Sequence, residues 1–371
     1  MTENTPVPFN DLKPKVAAHR AAIDRAIARV LDRGWFILGP EVDAFEKELA
    51  AAMGAKDAVA VANGTDALIL ALEVKGIGPG DEVITSPMSA AFSALAISRL
   101  GATPVFGDID PVTLNLDPAT IEARITPKTR GILPVHLYGH PADLDPMMEI
   151  ARRHNLVVVE DACQAHAARY KDRPVGSIAG IAGLSFYPTK NLGGFGDGGA
   201  ILVDDPALAK GLRQLRNGGQ SERYRHEILG TNSRLDDMQA AILRALLLTL
   251  SAETTRRRAI AARYFEAFAG LPLGLPEEQS YARAVYHLFV VRHPRRAAFM
   301  RALAAHGVGT LIHYPVALHL QPAYASLGGK RGDRPVVEKA AEEIVSLPIY
   351  PELTDAQVGA VISAVKEAVH A

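Results

Sequence analysis

One short stretch constrains this chain more than any other: the apolar run Leu156-Val157-Val158-Val159, followed at once by Glu160 and Asp161. Apolar residues without alternation, three of them β-branched, describe a strand buried on both faces, as in a parallel sheet covered by helices. Open sheets of that kind bind ligands in the crevice beyond the carboxyl ends of their strands. Asp161 therefore faces a candidate site, with Gln164 and His166 close behind it.

The surrounding chain alternates to match. Strands are expected at Ala58–Val61, Glu82–Ser86, Thr103–Phe106, Gly131–His136 and Ala200–Val203. Helical spacing lies between them, at 16–31, 41–53, Ala67 to about Val74, 92–100, 118–123, 146–154 and onward from Pro206. This alternation predicts an α/β fold, with helices packed on a mostly parallel sheet. From Leu235 to Ala269 the chain is rich in Ala, Leu and Arg and lacks Gly and Pro, which predicts one long helix. Beyond it a strand (His287–Val291) and helices over 295–306, 336–345 and 355–369 are expected. The division this predicts is an N-terminal arm and large domain over 1–250 and a smaller C-terminal α+β domain over 251–371, the long helix spanning the boundary.

Two places read as chemistry. The strand Ala58–Val61 runs into Asn63-Gly64-Thr65-Asp66 and then a helix. A strand, a glycine turn and a helix start can bind phosphate, because free N–H groups and the positive helix end face the anion. The same residues also read as a plain cap at Thr65 or Asp66. Further on, Ser185-Phe186-Tyr187-Pro188-Thr189-Lys190 precedes a glycine cluster. Pyridoxal phosphate requires a lysine amine for a Schiff base and a carboxylate against its ring nitrogen, and Lys190 and Asp161 supply both. Alone, an Asp after a strand is usually a cap or turn and a Lys is usually solvated; the combination carries the reading.

Other features weigh less. Gly194-Phe195-Gly196-Asp197-Gly198-Gly199 matches G-x-G-x-x-G literally, but a dinucleotide fingerprint follows a strand and opens a helix, whereas these glycines precede a strand. They more naturally permit unusual backbone angles beside Lys190. Cys163 and His166 are too few for a closed zinc site. His313-Tyr314 is a His–Tyr pair in a loop that can contact a polar ligand. Net charge is −1 with no long basic run, so neither nucleic-acid nor anionic-membrane binding is expected. The single cysteine excludes an internal disulfide, and the first residues lack the order of a signal peptide. A soluble cytoplasmic enzyme is the simplest expectation.

Taken together, the blocks PVHLYGHPADLD (Pro134–Asp145), VEDACQAH (Val159–His166), SFYPTKNLGGFGDGG (Ser185–Gly199), GTNSRLDDMQAA (Gly230–Ala241) and HYPVALHLQPAY (His313–Tyr324) make the chain resemble nucleotide-sugar aminotransferases of the DegT/DnrJ/StrS type. These are a branch of the fold type I pyridoxal-phosphate enzymes, and the similarity runs from Val7 to the last helix. The resemblance implies that Lys190 forms the Schiff base and shuttles the proton, that Asp161 partners the pyridine nitrogen, and that Gln164 lies near the phenolic oxygen. It implies phosphate contacts from Gly64, Thr65 and Ser185, and from Asn232 of a neighbouring subunit, hence a homodimer with shared active sites. Tyr187, His313 and Tyr314 fall where the family contacts sugar or cofactor. The implied reaction moves the amino group of L-glutamate to a nucleotide-linked keto-sugar, for amino-sugar biosynthesis of the kind that supplies lipopolysaccharide O-antigen. The opening segment and the SLPIYPEL block (Ser346–Leu353) look most like enzymes aminating C3 of dTDP-linked 3-keto-6-deoxy sugars, with a UDP-linked 3-keto N-acetyl hexuronate next and C4 amination third. Two departures stand out. Ala90 sits where the family usually places an aromatic ring over the cofactor, leaving open whether Phe92 substitutes or the stacking is weaker. Cys163 stands where alanine is common, which reads as a tolerated small core residue.

Overall fold

The computed structural model describes residues 6–370, so the first five residues of the N-terminal segment lie outside it. Helices α1 (Lys13–Arg33) and α2 (Pro40–Met53) lead into strand β1 (Asp57–Val61), helix α3 (Gly64–Val74), β2 (Glu82–Thr85), α4 (Phe92–Arg99), β3 (Thr103–Phe106) and β4 (Thr129–Leu133). Then follow α5 (Leu144–His154), β5 (Val157–Val158), β6 (Glu160–Asp161), a two-strand excursion of β7 (Arg169–Tyr170) and β8 (Arg173–Pro174), β9 (Ile181–Ser185), β10 (Gly199–Val203) and α6 (Pro206–Leu215).

These strands form one twisted surface. β5 pairs with β4, β6 pairs with β9, and Val135 bridges Asp161, so two four-stranded halves meet along 157–161 in the order β1-β10-β9-β6/β5-β4-β2-β3. Every pairing from β9 to β3 is parallel; β10 runs against both its neighbours. The parallel strands therefore end along one edge, and Asn63-Gly64, Ser86, His136, Asp161 and Ser185 follow those ends. β10 begins at the same edge, which brings the Lys190–Gly199 segment across it. As the sequence indicated, those glycines precede a strand.

Packing explains the covering helices. α2 lies against α7 (Asp237–Leu247), and the buried Asp237 carboxylate accepts the N–H groups of Gly39 (2.7 Å) and Glu41 (3.0 Å), capping α2. A Cβ on Gly39 would stand 2.6 Å from Asp237 Oδ1, so the approach requires glycine. Phe45, Leu49 and Met53 of α2 are buried with Leu184, Phe186 and Leu202 of the sheet, each such side chain contributing about 1.5–3 kcal/mol. A second core is built from α8 (Leu250–Phe268), α9 (Arg296–Ala305), α11 (Asp355–Ala368) and the antiparallel pair β14 (Phe289–Arg292) and β15 (Ile344–Leu347), with Tyr264 edge-on to Phe289 at 5.1 Å. The remaining strands are the hairpin β11 (Gln220–Glu222) and β12 (Arg225–His226), and β13 (Ala282–Arg283) beside β7.

Several expectations are corrected. The single helix over 235–269 is two helices, α7 and α8. The Thr249 N–H donates to the Leu246 carbonyl three residues back (3.1 Å), and the chain turns there before α8 begins. The helix expected over 336–345 stops as α10 (Pro335–Glu343), because Ile344 is extended and enters β15. The segment near 118–123 is two short 3-10 turns, with the Thr120 hydroxyl bonded to the Asp117 carbonyl at 2.8 Å. α3 starts at Gly64, and its cap is Asn63 in place of Thr65 or Asp66: Asn63 is extended, and its side-chain oxygen accepts the Asp66 N–H at 2.9 Å.

Candidate active site

The parallel edge gathers most of the sequence-derived residues. Gly64 and Thr65 open α3, where helix geometry leaves their N–H groups without intrahelical acceptors. A Cβ on Gly64 would meet Ser185 Cβ at 2.6 Å and Cys163 Sγ at 3.2 Å, so only glycine lets this turn press against β9 and the 161–164 segment. Ser185, at the end of β9, holds its hydroxyl toward the Tyr187 N–H at 3.3 Å. A helix start, a hydroxyl and a backbone that no side chain obstructs form an anion cradle.

Asp161 is 4% exposed at the end of β6. Its Oδ1 accepts the Cys163 N–H (3.1 Å) and its Oδ2 the Ser93 hydroxyl (2.6 Å). Lys190 is part-buried; burial holds its amine below the usual lysine range, while Cys163 and the Asp161 carboxylate push it back up. Gln164 has a fixed orientation. Its Oε1 accepts the Tyr138 N–H (2.9 Å), leaving Nε2 as the donor, which reaches Tyr314 Oη at 3.3 Å. Burial, then the Asp161 charge, drives the Tyr314 phenol up to about 12. His313 bonds Ser346 Oγ through Nδ1 (2.8 Å), and its carbonyl accepts the Tyr138 hydroxyl.

Histidines near the amine are held neutral. Burial first, and the Lys190 charge second, lower His166 to about 3 and His313 to about 4. His166 is fully buried, and among the described residues no side chain bonds either ring nitrogen. Cys163 lies 3.6 Å from the Gly183 carbonyl, and burial raises its thiol well above the usual range.

Three further residues named from the sequence lie at the surface of this chain. Tyr187 is half exposed, Asn232 is exposed and Phe92 is exposed at the first position of α4. Ser233, the neighbour of Asn232, turns inward instead: its hydroxyl donates to Asp66 Oδ2 at 2.6 Å and accepts the Ala62 N–H at 3.1 Å. Sequence reasoning missed Ser93, Ser233 and Tyr138. Tyr138 has φ +58° in the short turn 137–139, which its sequence alone does not mark.

The donor set fits pyridoxal phosphate: an amine whose charged form burial disfavours, a buried carboxylate, an amide donor and an anion cradle lie along one sheet edge. Among the described residues no helix is long and apolar enough to cross a membrane, and no cluster of His, Cys, Asp and Glu could hold a metal ion.

Comparison with known proteins agrees with this chemistry. The model of the DegT/DnrJ/EryC1/StrS aminotransferase family matches residues 18–366. The dTDP-3-amino-3,4,6-trideoxy-alpha-D-glucose transaminase of Streptomyces venezuelae is 51% identical over 98% of this chain and 97% of its own length. The UDP-2-acetamido-2-deoxy-3-oxo-D-glucuronate aminotransferase of Pseudomonas aeruginosa is 42% identical over 96% of this chain and 99% of its own. The solved structure of S. venezuelae DesV superposes with a TM-score of 0.97 at 51% identity, covering 99% of each chain. The chain belongs to the DegT/DnrJ/EryC1/StrS aminotransferase family and is a pyridoxal-phosphate-dependent enzyme.

Proposed function

We propose that this aminotransferase moves the amino group of L-glutamate to the C3 keto group of a dTDP-linked 3-keto-6-deoxyhexose. The observation that carries the reading is the convergence of Lys190, Asp161, Gln164 and the Gly64 turn on one sheet edge, in a chain 51% identical to a dTDP-amino-sugar transaminase. A UDP-linked 3-keto N-acetyl hexuronate is the second reading, favoured by the 42% identity to an enzyme named for such a sugar.

The geometry supports the following roles. When bound, pyridoxal phosphate supplies an electron-accepting ring that eases loss of a proton from the amine-bearing carbon. Lys190 Nζ would hold the cofactor and then carry that proton, and burial, which disfavours the charged amine, suits it to act as a base. The Asp161 carboxylate holds the ring nitrogen in its protonated form. Gln164 Nε2, oriented by the Tyr138 N–H, donates toward the phenolic oxygen. Gly64, Thr65 and the Ser185 hydroxyl take the phosphate. His313, Tyr314 and Tyr187 face the sugar. Neutral His166 and His313 add no further charge near Lys190.

The active unit in this reading is a homodimer. Asn232 is exposed on its own chain, beside the Ser233 that touches α3, which suits a role at a neighbour's phosphate. Trp35 (56% exposed) with Phe36 and Ile37, and Leu229 (95% exposed), offer apolar surface for a second copy. A cytoplasmic setting, and a place in O-antigen synthesis, complete the reading; the single cysteine supports the first.

The test is a panel of dTDP- and UDP-linked 3-keto and 4-keto sugars offered with L-glutamate, with products identified by mass spectrometry and NMR. Amination of the dTDP-3-keto-6-deoxyhexose above the others supports the reading. Preference for a UDP-sugar replaces it with the second.

A further inference from the structure

The buried carboxylate of Asp161 is held by a chain of two hydroxyls. Ser93 Oγ lies 2.6 Å from Asp161 Oδ2, and Ser89 Oγ lies 3.1 Å from Ser93 Oγ. An ionised carboxylate only accepts, so the Ser93 proton is committed to Asp161, and Ser89 supplies the proton between the two serines. The relay runs one way, from Ser89 through Ser93 to Asp161. Ser89 and Ser93 are each 2% exposed, so water does not compete for these bonds.

The contact is not what a helical serine ordinarily makes. Serine within a helix tends to bond back to the carbonyl four residues earlier. Ser98 on the same helix does this, donating to the Ala94 carbonyl at 3.1 Å. Ser93 instead reaches across to a residue 68 positions away in sequence. It sits in the first turn of α4, whose position is fixed by burial of Ala94, Ala96 and Ile97. The Cys163 N–H holds the other oxygen at 3.1 Å, and the two donors together fix the plane of the carboxylate.

We propose that Ser93, backed by Ser89, is a positioning residue that sets the orientation of Asp161 toward the ring nitrogen of the cofactor. The inference rests on the assignment of Asp161 to that nitrogen. Without the Ser93 hydroxyl, Oδ2 loses its 2.6 Å donor, and the hold of the Cys163 N–H on Oδ1 no longer fixes the plane of the carboxylate by itself. A misaimed carboxylate binds the pyridinium less well even while the fold is intact.

The test uses full-length apoprotein of the wild type, Ser93→Ala, Ser93→Thr, Ser89→Ala and Asp161→Asn. Each is titrated with pyridoxal phosphate for Kd, its visible spectrum is recorded when loaded, and its thermal midpoint is measured without cofactor. Loss of a hydrogen bond to a charged group predicts about tenfold or more weaker cofactor binding for Ser93→Ala. Its absorption band should shift, its apoprotein midpoint should stay near wild type, Ser93→Thr should restore affinity, and Ser89→Ala should show a smaller loss. Wild-type affinity and spectrum in Ser93→Ala overturn the proposal, as does an affinity loss that Ser93→Thr shares and that tracks a fallen apoprotein midpoint. Asp161→Asn separates the two layers. If it binds cofactor as the wild type does, the Asp161 assignment falls; if it binds weakly while Ser93→Ala is unaffected, only the role of Ser93 falls.

Discussion

His136 Nε2 stands 3.1 Å from Glu160 Oε2 in a spot where neither side chain touches solvent, one residue before Asp161. The Ala142 N–H takes His136 Nδ1 at 3.0 Å, which makes Nε2 the donor to Glu160. Three backbone amides, of Gly176 (2.8 Å), Ile178 (2.9 Å) and Ala179 (2.7 Å), fill the other positions of the carboxylate. Burial alone would raise Glu160, but His136 and these amides outweigh it and hold the group below the usual carboxylate range. The His136 N–H also bonds the Asp161 carbonyl at 3.0 Å, so this pair anchors the strand end that presents Asp161.

Glu160→Gln follows directly as a test of that anchor. The amide nitrogen must face a backbone N–H, leaving buried donors opposed. Chemical denaturation of the apoprotein should show a loss of roughly 1–3 kcal/mol, the range for an unsatisfied buried polar group. Unchanged stability would show that the loop at 174–179 does not depend on this carboxylate.

A shared active site predicts complementation between inactive subunits. Asn232→Ala should weaken cofactor binding, and Lys190→Ala should abolish turnover. Mixed dimers of the two should regain activity, since one site then pairs an intact Lys190 with the partner's intact Asn232. Activity is assayed after co-expression with two affinity tags and tandem purification. No recovery in purified mixed dimers would place Asn232 outside the partner's site.

Acid should destabilise the fold through its neutral histidines. His166 sits at about 3 in the folded chain, below its usual value of 6.5, so between those values the unfolded chain binds more protons. The stability it contributes is complete above 6.5 and is lost as pH falls towards about 3. His166→Leu should therefore lose less stability than wild type on going from about pH 7 to pH 4.5, by roughly 2–3 kcal/mol. Denaturant midpoints at the two pH values measure the difference; equal losses would show that His166 does not remain neutral.

The parts of the fold legible in sequence were those with strong local patterns. The run Leu156–Val159 announced a doubly buried strand, and the alternation before it announced the parallel sheet. β9 passed unnoticed because it reads Ile181-Ala182-Gly183-Leu184-Ser185 among small residues. Gly183 is needed there because a Cβ would meet Leu68 Cδ2 at 2.6 Å, where α3 crosses the strand. Packing between distant elements set that choice, and no local preference records it. The break at Thr249 is hidden for a related reason, since the chain turns there through a backbone bond to Leu246, with neither Gly nor Pro to mark it. Within the site, Lys190, Asp161 and Gln164 were readable because their residue types and motifs are unusual together. Ser93 was not, because a serine in an apolar helix looks like many others until the fold brings Asp161 to it.

The central claim is that this chain takes the amino group from glutamate onto its own cofactor, with Lys190 as the essential amine. The most direct measurement adds L-glutamate to the purified, cofactor-loaded protein with no sugar present. The account predicts that the visible band of bound pyridoxal phosphate fades and that 2-oxoglutarate appears in an amount equal to the active sites, while Lys190→Ala shows neither. A band that persists in excess glutamate with no 2-oxoglutarate formed, or the same response from Lys190→Ala, would contradict it.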